Sequence, residues 1–394
     1  MALFDKCRAV AERAEFFKGR NQFFYLREFQ PCATPYVEHK GRKLMMLGSN
    51  NYLGLANHPK VKAAAIKAIE EWGTGACSSR ILTGTSALHN RLEKRLAEFK
   101  GTEDAALFST GFMTMMAGVS SLAGERDVVL SDEFNHASIV DGCRLTKARK
   151  FIYRHNDMAS LEEGLAGARD ADGRLVDTDG VFSMRGAVAN LPEIRRLADK
   201  YDAKVMLDDA HGTGVLGKHG RGTPEHFDME GKVDVVCGTF SKSFSTTGGF
   251  AGSNRDVVAY FKLASRPFVF TASPAPPVVA TVLAGLDVMA EEPQLLEHLH
   301  RNASFLKQEL TRLGFRLEPT ITPIIPILIG NEEKTFQMAG ALEDEGVVVN
   351  PVVRPAVPAE NSLIRVSLMA TFTIEELAQA VEKFGKVGRR LGLI

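Results

Sequence analysis

Between residues 128 and 237, short β-branched runs alternate with amphipathic stretches, and this alternation restricts the chain to few architectures. The predicted strands are Val128–Leu130, Phe151–Tyr153, Thr178–Phe182, Lys204–Asp208 and Val233–Cys237. Helical spacing of apolar residues marks Ser86–Phe99, Ser138–Ala148, Met158–Ala168 and Pro192–Tyr201. Strand–helix repetition of this kind predicts an α/β fold, with a mostly parallel sheet covered by helices on both faces. Such sheets place ligands at the carboxyl ends of their strands. With 394 residues, the chain suits one large domain of this type plus a smaller one.

The pattern changes after about Val278. A long helical stretch, Val278–Gly314, leads into Ile321–Ile329, a helix over Glu333–Glu345, then Val347–Val353, Leu363–Leu368 and a last helix over Ile374–Leu391. These predict a smaller α+β domain over 281–394, behind a large domain over 46–280. Residues 1–45 read as a helical arm, with a hairpin around Tyr36–Leu47.

Lys plus Arg equals Asp plus Glu at 48 each. A zero net charge gives neither the basic excess of a nucleic-acid binder nor an attraction to anionic lipid. The cysteines are Cys7, Cys32, Cys77, Cys143 and Cys237. Their odd number and wide spacing argue against a disulfide framework or a zinc site and for a reducing cytoplasm. The N-terminal residues carry scattered charges and no apolar core, unlike a signal peptide. Two uncharged windows, Ala105–Gly124 and Pro267–Leu286, are long enough to span a bilayer. Gly, Ser and Thr dilute the first, and four prolines interrupt the second, so no transmembrane segment is expected.

Five local patterns carry chemistry. In Gly238–Gly249 a lysine, Lys242, follows a predicted strand among hydroxyls and paired glycines. A Schiff-base lysine needs such a confined place, and the hydroxyls and glycine N–H groups suit a phosphate. Alone, the segment reads more readily as an exposed Ser/Thr-rich turn. In Val205–Gly214, Asp208, Asp209 and His211 sit at the carboxyl end of a buried strand. One Asp could balance a protonated pyridine ring, or both could cap the next turn. Gly212, Gly214 and Gly217 match a dinucleotide fingerprint, but Lys218–Pro224 cannot open the helix that fingerprint requires. Phe108–Phe112 approaches a helix whose first N–H groups could bind phosphate, or which Ser109 or Thr110 simply caps. His136 lies in Asn135–Ser138, placed either to stack on a ring or to be solvated. Arg365 interrupts the apolar strand Leu363–Leu368, where it needs a carboxylate from a ligand or from the protein.

Taken together, these motifs resemble those of the α-oxoamine synthases, fold-type I enzymes that use pyridoxal 5′-phosphate (PLP). The resemblance runs from about Gln30 to Leu391. It is carried by Ser49–Leu55, Gly73–Gly75 with Ser79-Arg80, Leu92-Glu93, Ser109–Phe112, Asn135–Ser138, Asp179–Met184, Asp208–Gly212, Gly238–Lys242 and Arg365. Within the family, Gly238–Gly249, Arg266–Ser273, Thr322–Pro326 and Asn350–Pro358 are most similar to the bacterial subgroup that joins L-serine to palmitoyl-CoA.

The resemblance implies a role for each matching residue. Lys242 would carry the cofactor and then act as base and acid. Asp208 would pair with the ring nitrogen and His211 with the ring oxygen, supported by Ser183, while His136 stacks on the ring. Gly111 and Phe112 would bind phosphate through backbone N–H, joined by the hydroxyls of Thr239 and Ser241. Thr271 would reach the phosphate of a partner subunit, since family members are homodimers with shared sites. Arg365, helped by Asn51, would hold the amino-acid carboxylate. The implied reaction is a decarboxylative condensation of an amino acid with an acyl thioester, on CoA or an acyl-carrier protein. Sister activities make 8-amino-7-oxononanoate or 2-amino-3-oxobutyrate, or use cysteate. A catalytically silent subunit of the same fold is the remaining alternative, against which Lys242 argues. Three positions depart from the family pattern: Arg185, where an acidic residue is frequent; Met115, where asparagine is; and Phe372, where histidine is.

Overall fold

A computed structural model describes residues 3–20, 22–31 and 34–394. Met1, Ala2, Asn21, Cys32 and Ala33, which fall in the expected N-terminal arm, lie outside the described residues. The chain forms two compact units, one of residues 50–299 and one joining the N-terminal 49 residues to 300–394.

The 50–299 unit is built on a seven-stranded sheet. Its order is Asp104–Phe108, Gly249–Ser253, Val235–Thr239, Lys204–Asp208, Arg174–Asp179, Val128–Asp132 and Arg149–Tyr153. Gly249–Ser253 runs antiparallel to both neighbours, and the other neighbouring pairs are parallel. Side chains alternate between the faces of a strand. Leu207 and Val205 therefore enter one apolar layer, against the helices Met158–Gly167 and Leu191–Lys200. Met206 enters the opposite layer, with Met115 and Ile139 of the helices Gly111–Leu122 and Ala137–Leu145. All three strand residues are fully buried, each contributing about 2 kcal/mol of transfer free energy. Asp208 shares its parity with Met206. It therefore emerges at the strand's carboxyl end on the side where those two helices begin.

Several elements differ from expectation for visible reasons. The strand predicted at Thr178–Phe182 is Arg174–Asp179. Beyond Asp179 the chain doubles back, with Val181 bridging Val188 and Phe182 N–H donating to Ala187 O. The long helical stretch expected over Val278–Gly314 is two helices, Pro276–Glu291 and Gln294–Arg312, separated at Pro293, which lacks an N–H to continue the first. The boundary expected at residue 280 falls inside Pro276–Glu291, whose packing on Pro59–Trp72 keeps it in the 50–299 unit. The window Ala105–Gly124 is a strand plus a helix, and Pro267–Leu286 spans parts of two helices. Among the described residues no helix is long and apolar enough to cross a membrane.

In the other unit, Tyr36–His39 and Arg42–Met46 form the expected hairpin, and Val347–Val348 pairs parallel to Met45–Met46. The strand expected over Val347–Val353 is divided, because Asn350–Val352 joins a second sheet, antiparallel to Leu363–Ser367. Leu363–Ser367 is the middle strand of that sheet, with Ile324–Leu328 on its other side. The helix Asp5–Gly19 precedes these sheets and buries none of its residues.

Candidate active site

A cavity of about 270 Å³ opens at the carboxyl ends of the central strands. Its lining includes Gly111, Phe112, His136, Ser183, Asp208, His211, Thr239, Ser241 and Lys242, residues spread over 130 positions of sequence. The sheet gathers them: Asp208 and Thr239 end adjacent strands, and Gly111 and His136 stand at the starts of the two helices on that face. Asn51 and Thr271 are not among the lining residues. Asn51 is buried, and its Oδ1 accepts from Ser245 Oγ and from Ala56 N–H. Arg365 belongs to the other unit, buried in the middle strand of its sheet, opposite Pro326 and Asn350.

One end of the cavity is suited to an anion. Thr110 caps the Gly111–Leu122 helix by accepting from Met113 N–H (3.1 Å), and the first turn of that helix leaves backbone donors at the lining. Thr239 Oγ1 and Ser241 Oγ lie 2.9 Å apart beside it. Gly111 is required here: a Cβ on it would lie 2.6 Å from both Cβ and Oγ1 of Thr239. Gly111→Ala should leave the fold intact and weaken PLP retention at least about tenfold, because the cradle must widen. Equilibrium dialysis of the cofactor checks this.

Acidic groups also line the cavity. Asp208 Oδ1 accepts from Ala210 N–H (3.0 Å). Burial pushes its carboxyl above the usual range, while Lys242 and then His136 pull it down. Its neighbour Asp209 has a structural part. It pairs with buried Lys100 (2.7 Å) and accepts from Thr223 N–H (3.0 Å) and Thr223 Oγ1 (2.7 Å). His136 Nδ1 accepts from Ser138 N–H (3.3 Å), so the neutral ring carries its proton on Nε2. Burial holds that imidazole below its ordinary value. Phe112 meets it edge-on at 6.2 Å.

Two carboxyls escaped the sequence reading as site residues. Asp179 lines the cavity and pairs in register with Asp208, and Asp177 lies two residues back on the same face. Both are buried, and burial followed by the Asp208 charge raises both well above the carboxylate range. Among the described residues neither oxygen of Asp177 finds a hydrogen-bond partner. Each carboxyl is raised on folding, so its contribution to stability is full at low pH and is lost as pH rises through the folded value. Asp177→Asn should therefore be nearly silent at low pH. It should become increasingly stabilising as pH rises from the unfolded to the folded value, by up to about 1.4 kcal/mol per pH unit, and level off above the folded value. Thermal melting across a pH series tests this.

The departures from the family pattern have local explanations. Met115 is buried in the apolar layer beneath the site. Phe372 is buried and accepts from Asn302 Nδ2 at its carbonyl (2.8 Å). The Arg185 guanidinium lies over the Phe134 ring at 5.8 Å. The family-pattern residues Arg80 and Glu93 form a buried ion pair (2.8 Å).

Comparisons with known proteins agree with this geometry. Residues 42–384 match the family described as aminotransferase class I and II. The chain is 45% identical to serine palmitoyltransferase of Sphingobacterium spiritivorum, covering 95% of this chain and 94% of that one. It is 44% identical to 8-amino-7-oxononanoate synthase 1 of Bacillus velezensis, covering 94% of each. Among solved structures it superposes on Sphingomonas wittichii serine palmitoyltransferase over the whole of both chains, with TM-score 0.96 and 36% identity. The S. paucimobilis enzyme with a bound PLP–myriocin aldimine gives the same TM-score at 35% identity, again over all of both chains. The chain belongs to the aminotransferase class I and II family, as a PLP-dependent α-oxoamine synthase.

Proposed function

We propose that this enzyme condenses L-serine with palmitoyl-CoA, a long-chain acyl thioester, to give 3-oxosphinganine, free CoA and carbon dioxide. The observation that carries this reading is the full-length superposition on serine palmitoyltransferases at TM-score 0.96. Bound PLP supplies the electron sink for chemistry at the amino-acid Cα. Lys242 holds the cofactor and moves the α-proton. Asp208 keeps a negative charge opposite the ring nitrogen, and His211 and Ser183 serve the ring oxygen. His136 stacks on the ring face. The N–H groups of Gly111 and Phe112, with Thr239 and Ser241, hold the phosphate. Arg365, with Asn51, fixes the substrate carboxylate and thereby which Cα bond reacts.

A homodimer is part of this reading, with Thr271 reaching the partner's phosphate. Its support is the exposed apolar group Ile81, Leu82 and Phe270, flanking the Ser79–Ala272 bridge. A cytoplasmic enzyme with peripheral contact at the inner membrane fits a long-chain product.

A second reading, 8-amino-7-oxononanoate synthesis, rests on the near-equal 44% identity to the B. velezensis enzyme. Mass spectrometry separates the two. PLP-loaded protein is given serine, glycine, alanine and cysteate with short and long acyl-CoAs. A dominant serine–palmitoyl product supports the first reading. A product of another pair moves the enzyme to a sister activity, and no condensation with any acyl-CoA overturns CoA as the donor.

A further inference from the structure

His211 lines the cavity from the turn that follows the Lys204–Asp208 strand. A turn has no regular ladder to hold an imidazole in one orientation, so another segment must do so. The Tyr52 hydroxyl lies 2.7 Å from His211 Nδ1, and the rings are 6.0 Å apart at 64°. Tyr52 is fully buried, where a phenol needs a hydrogen-bond partner. A second acceptor, Asn50 Oδ1, is at 3.4 Å, the far limit of a hydrogen bond. The shorter contact offers that proton the better acceptor.

Tyr52 stands on an anchored turn. Its N–H donates to Asn50 O (2.8 Å), and Gly54, at φ +74°, donates to Asn51 O (2.9 Å). Asn51 Oδ1 accepts from Ser245 Oγ, and Ser245 N–H donates to Lys242 O (2.9 Å). The same turn thus braces both His211 and the loop that carries Lys242.

We propose that Tyr52 is a positioning residue: it donates to His211 Nδ1 and so fixes the tautomer whose Nε2 carries the proton. That tautomer makes His211 a donor, as the cofactor's ring oxygen requires. The inference rests on the reading that His211 serves that oxygen.

The test is the nitrogen-15 spectrum of histidine-labelled holoenzyme, with His211→Asn identifying the His211 signals. An unprotonated Nδ1 in the native enzyme is expected, giving way to mixed tautomers in Tyr52→Phe. Tyr52→Phe should also bind PLP about two- to tenfold less tightly, the effect of one hydrogen bond, and shift the visible absorption of the bound cofactor. A protonated Nδ1 in the native enzyme overturns the proposal, and needs no variant to be seen. So does a Tyr52→Phe enzyme with unchanged tautomer and absorption while His211→Asn alters that absorption. If His211→Asn leaves the absorption unaltered, the reading of His211 itself falls, and the inference with it.

Discussion

Replacing Lys242 with alanine should abolish condensation, lowering turnover by more than about 10⁴-fold, because the proposed function gives one amine both the cofactor linkage and the proton transfers. The structure isolates this effect from folding. Lys242 lines the cavity and belongs to none of the buried apolar clusters. The change leaves Gly111, Thr239 and Ser241, the proposed phosphate-binding group, in place, so PLP should still bind, reversibly. Product mass spectrometry checks the first statement and gel filtration of PLP-loaded variant the second. Turnover within tenfold of the native enzyme would remove Lys242 from the chemistry.

Asp208→Asn should lower turnover by about 10²–10³-fold, the scale seen when one preorganised electrostatic partner is lost. Asparagine keeps the shape and the acceptor for Ala210 N–H but not the charge. The neighbouring carboxyls, Asp177 and Asp179, are held toward their neutral forms first by burial, a cause that the substitution leaves in place. Circular dichroism should show an unchanged fold. Native turnover in this variant would mean that the cavity does not depend on a charge at Asp208.

The same alternation that placed Asp208 also explains how much of the fold could be read from sequence. Lys204–Asp208 was legible to the residue, because an apolar run ending in two acids has a sharp edge. Gly249–Ser253 was not, since its glycines read as a turn. In the sheet those glycines are small for a packing reason: a Cβ on Gly249 would lie 2.4 Å from Thr114 Oγ1 and 2.8 Å from Gly111 Cα. The lining residues from Gly111 to Lys242 were legible as a set, because their motifs lie in recognisable order. Tyr52 and Asp177 were not. A tyrosine beside leucines and an acid inside a strand acquire meaning only from what folding sets against them. Asn51 illustrates the converse, an expected ligand residue whose carbonyl oxygen is engaged by Ser245 and Ala56.

The unit that joins both ends of the chain has a consequence for biosynthesis. Residues 42–46 leave the ribosome early, yet their parallel partner, Val347–Val348, is made some 300 positions later. Throughout that interval Arg42–Met46 presents a strand edge to solvent, while residues 50–299 hold everything their own sheet needs. Vectorial synthesis therefore favours maturation from the middle outward, with long-range closure as the slow last step. Nascent chains halted before residue 347 should consequently rely on chaperones to shield that edge from other strands.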